Sequence, residues 1–355
     1  MLTLLHTNLI SELKDNKYDF LKFGLIKQEQ IKAFAVSNNN MYDNIIIIGF
    51  GASSLNIRAL LSIAVRPAKK VVYLDSLDQT EINDQLSSLN FNRSAFFALS
   101  KSGNTNETYL LTKYVLEDLQ VPPQNIYIIA PFTDNLLSQL ARSYKTHFFE
   151  HDEICSGRFG IISNASLLPL AVVGLNVSKV VAAATTKILQ VISGSTVIYQ
   201  TAEYYLKQYF LGRRILVMFN YSYQLDGVCR WQQQMIAETL SKNGFGITPV
   251  IARGTFDQHS QLQLYLEGPD DKFYQIITNT KPDDSHIATN LTVHANNIYH
   301  ALTQAERPVK LINFDITEEI IIGEIIDTML SIILIAKYLA INPFNQPAVD
   351  KYKLL

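Results

Sequence analysis

Two rhythms of apolar positions alternate along the chain. Short unbroken apolar runs begin at Ile45 (IIIIG), Val71 (VVYLD), Ser94 (SAFFALS) and Ile126 (IYIIAP). Their length and β-branched content are those of strands buried on both faces. Between them, apolar residues recur every three or four positions, in LNIRALLSIAV from Leu55 and over residues 107–119. That is the spacing of amphipathic helices. The rhythm returns further on: RILVMFN from Arg214, a helical stretch through Trp231 and Glu238, then ITPVIA, YQIITN and VKLINFD. Strands alternating with helices predict an α/β protein with doubly wound parallel sheets and helices on both faces. We expect a helical N-terminal segment and the first sheet within residues 1–178. The second sheet and a C-terminal helix are expected within 179–355. The spacing predicts one helix over roughly residues 187–207. SGRFGIISNASLLPLAVVGLNV reads as a bridge between lobes, and the repeated rhythm suggests that the lobes are distant structural copies.

One apolar run, residues 320–341 (IIIGEIIDTMLSIILIAKYLAI), has the length of a membrane span. Glu324, Asp327 and Lys337 interrupt it, and charges at bilayer depth are costly, so a buried helix is expected and no membrane partner. The N-terminus lacks the basic and apolar regions of a signal peptide. The chain has 355 residues, 48% hydrophobic and 17% charged, with a formal charge of −2 and a pI near 6.4. This is the composition of a globular protein large enough for two lobes. With no Lys/Arg tract, nucleic acid is not an expected partner. Cys155 and Cys229 have no metal-type spacing and imply no disulfide framework, which fits a reducing, cytoplasmic setting.

Two segments carry the pattern of an anion site. In GFGASS, Gly49 to Ser54, glycines after a buried strand let the backbone turn sharply before a helix whose free N–H groups favour an anion. A dinucleotide fingerprint with Asp75 as ribose ligand is a rival reading, and a plain tight turn is another. SKSGNTNET is more specific. It packs Ser100, Ser102 and Thr105 into one turn, with Gly103 to free the backbone and Lys101 to add charge. An ordinary helix cap accounts for one hydroxyl, not three with a glycine. Loops after two neighbouring parallel strands face the same end of a sheet, so the two together predict a phosphate cradle.

A second set of residues suits proton transfer. Gln234 and Glu238 are spaced i,i+4 beside an apolar stripe of Val228, Trp231 and Met235. A half-desolvated carboxylate suits a general base, although helix geometry alone favours a plain Glu238–Lys242 surface pair. His259 lies in DQHSQLQLYLEG, where Asp257, Gln258 and Ser260 offer orienting partners. GRFG sets the cation Arg158 between glycines, and a surface salt bridge is its simplest use.

Taken together, IIIIGFGASSLNIRAL, FFALSKSGNTNET, GRFGIISNASLLPLAVVGL, AETLSKNGFGITPV, GTFDQHSQLQLYLEGPDD and NPFNQPAVDKYK resemble the glucose-6-phosphate isomerase family, in the family's order. DQHSQLQLY resembles the bacterial-type enzymes, and the chain is short at both ends against the family pattern. The resemblance implies two sugar-isomerase (SIS) subdomains of flavodoxin-like topology, no metal or organic cofactor, and a cytoplasmic homodimer of glycolysis and gluconeogenesis. It implies that Ser53, Ser100, Lys101, Ser102 and Thr105 bind the sugar phosphate and that Gln234 contacts substrate. Glu238 would be the base, Arg158 the cation at the enediolate, and His259 with Lys353 the pair assisting ring opening. His259 would come from the partner subunit. Ala52 and Asn56 stand where glycine is usual, and a methyl at 52 matters if that position needs φ > 0. Two alternatives accompany this reading: a non-catalytic phosphosugar-binding SIS protein and a dual phosphoglucose/phosphomannose isomerase.

Overall fold

The apolar runs form two parallel sheets, one of five strands and one of four. The structure, a computed structural model, describes residues 1–23, 26–63, 69–152, 156–280 and 285–352. Contacts divide the chain into two units, Asp19–Val181 and Met1–Tyr18 with Ala182–Leu355.

In the first unit, α2 (Gln28–Asn38) leads into β1 (Asn44–Ile48), α3 (Ala52–Leu61), β2 (Lys70–Leu74) and α4 (Gln79–Leu86). Then come β3 (Ser94–Leu99), α5 (Asn106–Glu117), β4 (Ile126–Ala130), α6 (Leu136–Tyr144), β5 (His147–Glu150) and α7 (Asn164–Val173). The strand order is β2-β1-β3-β4-β5, all parallel, with Ile48 opposite Ala98. Ile45 to Ile48 and the whole of β3 are buried, as runs that are apolar on both faces require. The segment read as a bridge is instead a core helix. Every residue of α7 from Ala165 to Val173 is buried, because its sequence is apolar all round, and it packs on α2 and α3.

Helix α8 (Val177–Ile192) carries the chain from one unit to the other. The second unit holds α1 (Leu2–Lys14), α9 (Val197–Phe210), β6 (Ile215–Asn220), α10 (Asp226–Leu240), β7 (Thr248–Arg253) and α11 (Leu262–Glu267). It continues through β8 (Lys272–Asn279), α12 (His286–Gln304), β9 (Val309–Phe314), α13 (Glu318–Tyr338) and α14 (Pro347–Tyr352). Its order β7-β6-β8-β9 repeats the order of the first four strands of the other sheet. The single helix expected over 187–207 is two. Gly194, at φ +112°, ends α8, and α9 starts three residues later. Helix α1 packs on α9 and α13, and its Glu12 accepts from Lys337 Nζ (2.9 Å) and Tyr18 OH (2.6 Å). Contacts thus group α1 with the second unit, where a cut at residue 178 groups it with the first.

The long apolar run is the buried helix α13. Its charges have local partners: Asp327 pairs with Lys187 at 2.5 Å, and Glu324 accepts from Thr328 Oγ1 at 3.4 Å. Among the described residues no single helix is long and apolar enough to cross a membrane. Cys229 is a buried free thiol, and Cys155 lies outside the described residues.

Burial, with the neighbouring Asp327 carboxylate, pushes Glu324 up from its ordinary 4.5 to about 7. A carboxyl raised in the folded state favours folding while it is protonated. Its contribution is full below pH 4.5 and is lost as pH climbs through about 7. Glu324→Gln should therefore raise the thermal midpoint at pH 8 and change it little at pH 4.5. Equal shifts at both pH values would show that the ionised carboxylate is not the cause.

Candidate active site

At the carboxyl end of β1 the chain turns through Gly49 and Gly51. Gly51 sits at φ +56°, where side chains are strained. Gly49 has no room for one: a Cβ there would lie 2.8 Å from Ser53 Cβ and 3.2 Å from the Leu99 carbonyl oxygen. Ala52 is not at positive φ, so its methyl costs no backbone strain. Ser53 is half-buried on the first turn of α3. Asp75, the ribose ligand of the dinucleotide reading, accepts from Ser54 Oγ (2.8 Å) and Arg58 Nη2 (2.9 Å) instead. Arg58 also lies 3.7 Å over the Tyr73 ring, so the acid is committed to holding α3 against β2.

The second loop leaves β3 at the same end, because β1 and β3 are parallel neighbours. Its hydroxyls form a cluster. Ser100 Oγ is 2.9 Å from Thr105 Oγ1 and 3.5 Å from Ser102 Oγ, and accepts from the Gly103 N–H at 3.0 Å. Ser102 Oγ accepts from the Asn104 N–H at 3.2 Å. Thr105 occupies the N-cap of α5, yet its side chain makes no capping bond. The plain-cap reading of this loop therefore fails, and the first N–H groups of α5 have no cap from the Thr105 side chain. Gly103 is at φ +70°, and a Cβ there would strike the Asn135 side chain at 2.2 Å. Main-chain and side-chain bonds tie the loop to α6: the Leu137 N–H donates to the Gly103 carbonyl and the Leu136 N–H to Asn104 Oδ1, each at 3.1 Å. Ser100 is buried, Thr105 half-buried, and Lys101 and Ser102 are exposed.

Arg158 comes to this unit on a 3₁₀ turn, Gly157–Phe159, that packs on α3. It is 1% exposed, and its Nη1 donates to Ser156 Oγ at 2.9 Å. The surface position expected of it gives way to a buried one beside the glycine turn's own helix. Asn56 Nδ2 donates to the Gly157 carbonyl at 3.1 Å. His151, just past β5, continues the pairing with β4 through its N–H to the Ala130 carbonyl (3.0 Å). Its Nδ1 is 2.7 Å from the Asp152 carbonyl oxygen, and burial, with Lys101 nearby, pushes its pKa down. A carbonyl can only accept, so that nitrogen carries the proton of a neutral ring. In the sequence His151 does not stand out, and Asn56 does so only as a residue where glycine is usual. Each is placed by a partner that no local pattern reveals.

In the second unit, α10 holds Glu238 half-buried one turn beyond Gln234. Gln234 Nε2 donates to Glu238 Oε1 at 2.8 Å. Lys242, the alternative partner, donates instead to the carbonyls of Thr239 (3.1 Å) and Asn342 (2.7 Å). Trp231 is buried at 1% exposure under the same helix. His259 closes the 3₁₀ turn Asp257–His259 and is exposed. Its expected orienting partners are engaged elsewhere. Asp257 accepts from the Arg253 N–H (2.6 Å), Ser260 Oγ (3.1 Å) and Gln261 Nε2 (3.1 Å), and Gln258 Oε1 accepts from Tyr221 OH (2.9 Å). Lys353 lies outside the described residues.

No family model matches the chain. Over 94% of its length it is 30% identical to a probable glucose-6-phosphate isomerase of Methanococcus maripaludis, spanning 81% of that protein. The chain belongs to the glucose-6-phosphate isomerase family. A glucose-6-phosphate isomerase of Methanocaldococcus jannaschii is 28% identical over 98% of this chain and 91% of its own. The fold of the family member from Chlamydia trachomatis superposes with a TM-score of 0.76 at 16% identity, covering 92% of this chain and 71% of that one. A hypothetical protein of Thermus thermophilus gives 0.83 at 21% identity, covering 99% and 93%.

The geometry of the β3–α5 loop predicts anion binding shared among several weak donors. Ser102→Ala and Thr105→Ala should each weaken inorganic phosphate binding by about 1.5 kcal/mol, the low end for a hydrogen bond to a charged group. The double variant should lose more than either. Titration calorimetry checks this, and unchanged affinity in both single variants would move the anion elsewhere.

Proposed function

We propose that this chain interconverts D-glucose 6-phosphate and D-fructose 6-phosphate through a cis-enediol intermediate. Membership of the family supports the reaction. The observation that carries the site is the β3–α5 loop, whose three hydroxyls cluster at an uncapped helix amino end. In this reading Ser100, Ser102 and Thr105, with Ser53 and Lys101, receive the phosphate. Glu238 takes the proton from C2 of the open-chain sugar and returns it to C1. Gln234 holds one carboxylate oxygen and fixes the rotamer, which is what a base needs to meet a single carbon. Arg158 stabilises the oxygen that becomes negative, and a buried, preorganised cation does so without solvent rearrangement. His259 and Lys353 assist ring opening.

A homodimer with a shared site is part of the proposal. His259 is exposed and makes no hydrogen bond through its ring to another described residue, and Phe256 beside it is 69% exposed. An imidazole without an orienting partner among the described residues, next to a bare aromatic ring, suits a surface completed by a second copy. Two-fold symmetry then gives two equivalent sites. The bacterial-type assignment rests on the DQHSQLQLY segment alone.

A coupled assay on both hexose 6-phosphates tests the reaction. Glu238→Gln should cut kcat by about 10²–10⁴-fold, the usual contribution of a general base, while a phosphosugar analogue still binds. Retention of a tenth of the activity would remove Glu238 from that role. For the shared site, inactive Glu238→Gln chains mixed with inactive His259→Ala chains should regain part of the activity on subunit exchange. Heterodimers that form yet stay inactive would assign His259 to its own chain's site.

A further inference from the structure

Asn56 lies on α3 one turn beyond Ala52, so the two share a face. That face carries the turn holding Arg158. Asn56 Nδ2 reaches the Gly157 carbonyl at 3.1 Å, across 101 residues of sequence, and a Cβ on Gly157 would lie 3.2 Å from the Ala52 methyl. The acceptor is a carbonyl, which fixes the orientation of the Asn56 amide. Its other atom, Oδ1, is buried and accepts no hydrogen bond in the described structure. Burying half of an amide without a partner costs stability, so folding alone does not account for asparagine here. The turn it holds is closed by its own bonds, from the Phe159 N–H to the Ser156 carbonyl and from the Gly160 N–H to the Gly157 carbonyl, each at 3.0 Å, but these do not tie it to α3. Gly157 and Gly160 flank Arg158 and Phe159, and glycine-flanked backbone is intrinsically loose. A cation that acts on charge developing only in the transition state has to be fixed beforehand.

We propose that Asn56 is a positioning residue for Arg158: its amide holds the Gly157 carbonyl on α3 and so fixes where the guanidinium lies. This rests on the reading of Arg158 as the cation at the enediolate. Because α3 also begins at the glycine turn that bears Ser53, one helix sets the spacing between phosphate turn and cation.

The test is a double-mutant cycle with stability measured alongside. Asn56→Leu keeps the shape, removes the donor and removes the orphaned Oδ1. Its thermal midpoint should equal or exceed that of the wild type. Its kcat should fall about 10-fold, less than the 10²–10³-fold that a complete oxyanion donor supplies, with KM unchanged. Combined with Arg158→Ala it should cause no further loss in kcat. Asn56→Ala serves as a second donor-less variant should leucine overpack the site. Unchanged kcat in a folded Asn56 variant, or an equal loss in both backgrounds, overturns the proposal while leaving the role of Arg158 intact. Full activity in Arg158→Ala alone overturns the underlying reading as well, and that result is seen without any Asn56 variant.

Discussion

The parallel pairing of β1 with β3 is the constraint on which the first unit's binding end depends. Side by side and pointing the same way, the two strands must release their loops at one edge, and the helices that follow begin there with their amino ends. Close approach is the condition. A Cβ on Gly49 would lie 2.8 Å from Ser53 Cβ and 3.2 Å from the Leu99 carbonyl oxygen, so the glycine is a packing requirement before it is a binding feature. Ser53, the Ser100 cluster and the α3 face that holds the Arg158 turn all inherit their positions from this one contact. The second sheet repeats the arrangement with β6 and β8, and there the helix that follows β6 carries Glu238.

Charge enters this end of the molecule sparingly. Lys101 is exposed and its field is weakened by water, whereas Arg158 is buried. The loop therefore presents mainly hydroxyl and peptide dipoles. These are neutral when empty and cost the fold little to keep together, unlike a cluster of cations that would repel one another. Thr105 illustrates the choice. It stands where a cap belongs, yet its hydroxyl turns to Ser100 and the helix end stays open.

What is legible in the sequence follows the range of the forces involved. Strands buried on both faces announce themselves as runs such as IIII and SAFFAL, and the hydroxyls of SKSGNT are chemistry within one turn. The short strand HFFE lacks such a signal, since its apolar residues cover only part of its surface. The segment after GRFG misleads because an apolar stretch after a loop looks the same whether it bridges lobes or fills a core; only its contact with α2 and α3 decides. At the site, Glu238 with Gln234 is an i,i+4 pair and is readable. The surroundings of His259 are not: proximity in sequence suggests Asp257, but that carboxylate satisfies the Arg253 N–H and its own turn. The Asn56 bond to Gly157 spans a hundred positions and has no local trace.

The ties between the β3–α5 loop and α6 give this region a shared fate. The first amides of α6 have no partner inside their own helix, and Leu136 and Leu137 spend theirs on Asn104 and Gly103. Opening the loop strips those amides of their acceptors and exposes them to solvent protons. Deuterium uptake at these two leucines thus becomes a gauge of how well ordered the β3–α5 loop is, and any molecule that orders the loop slows their exchange.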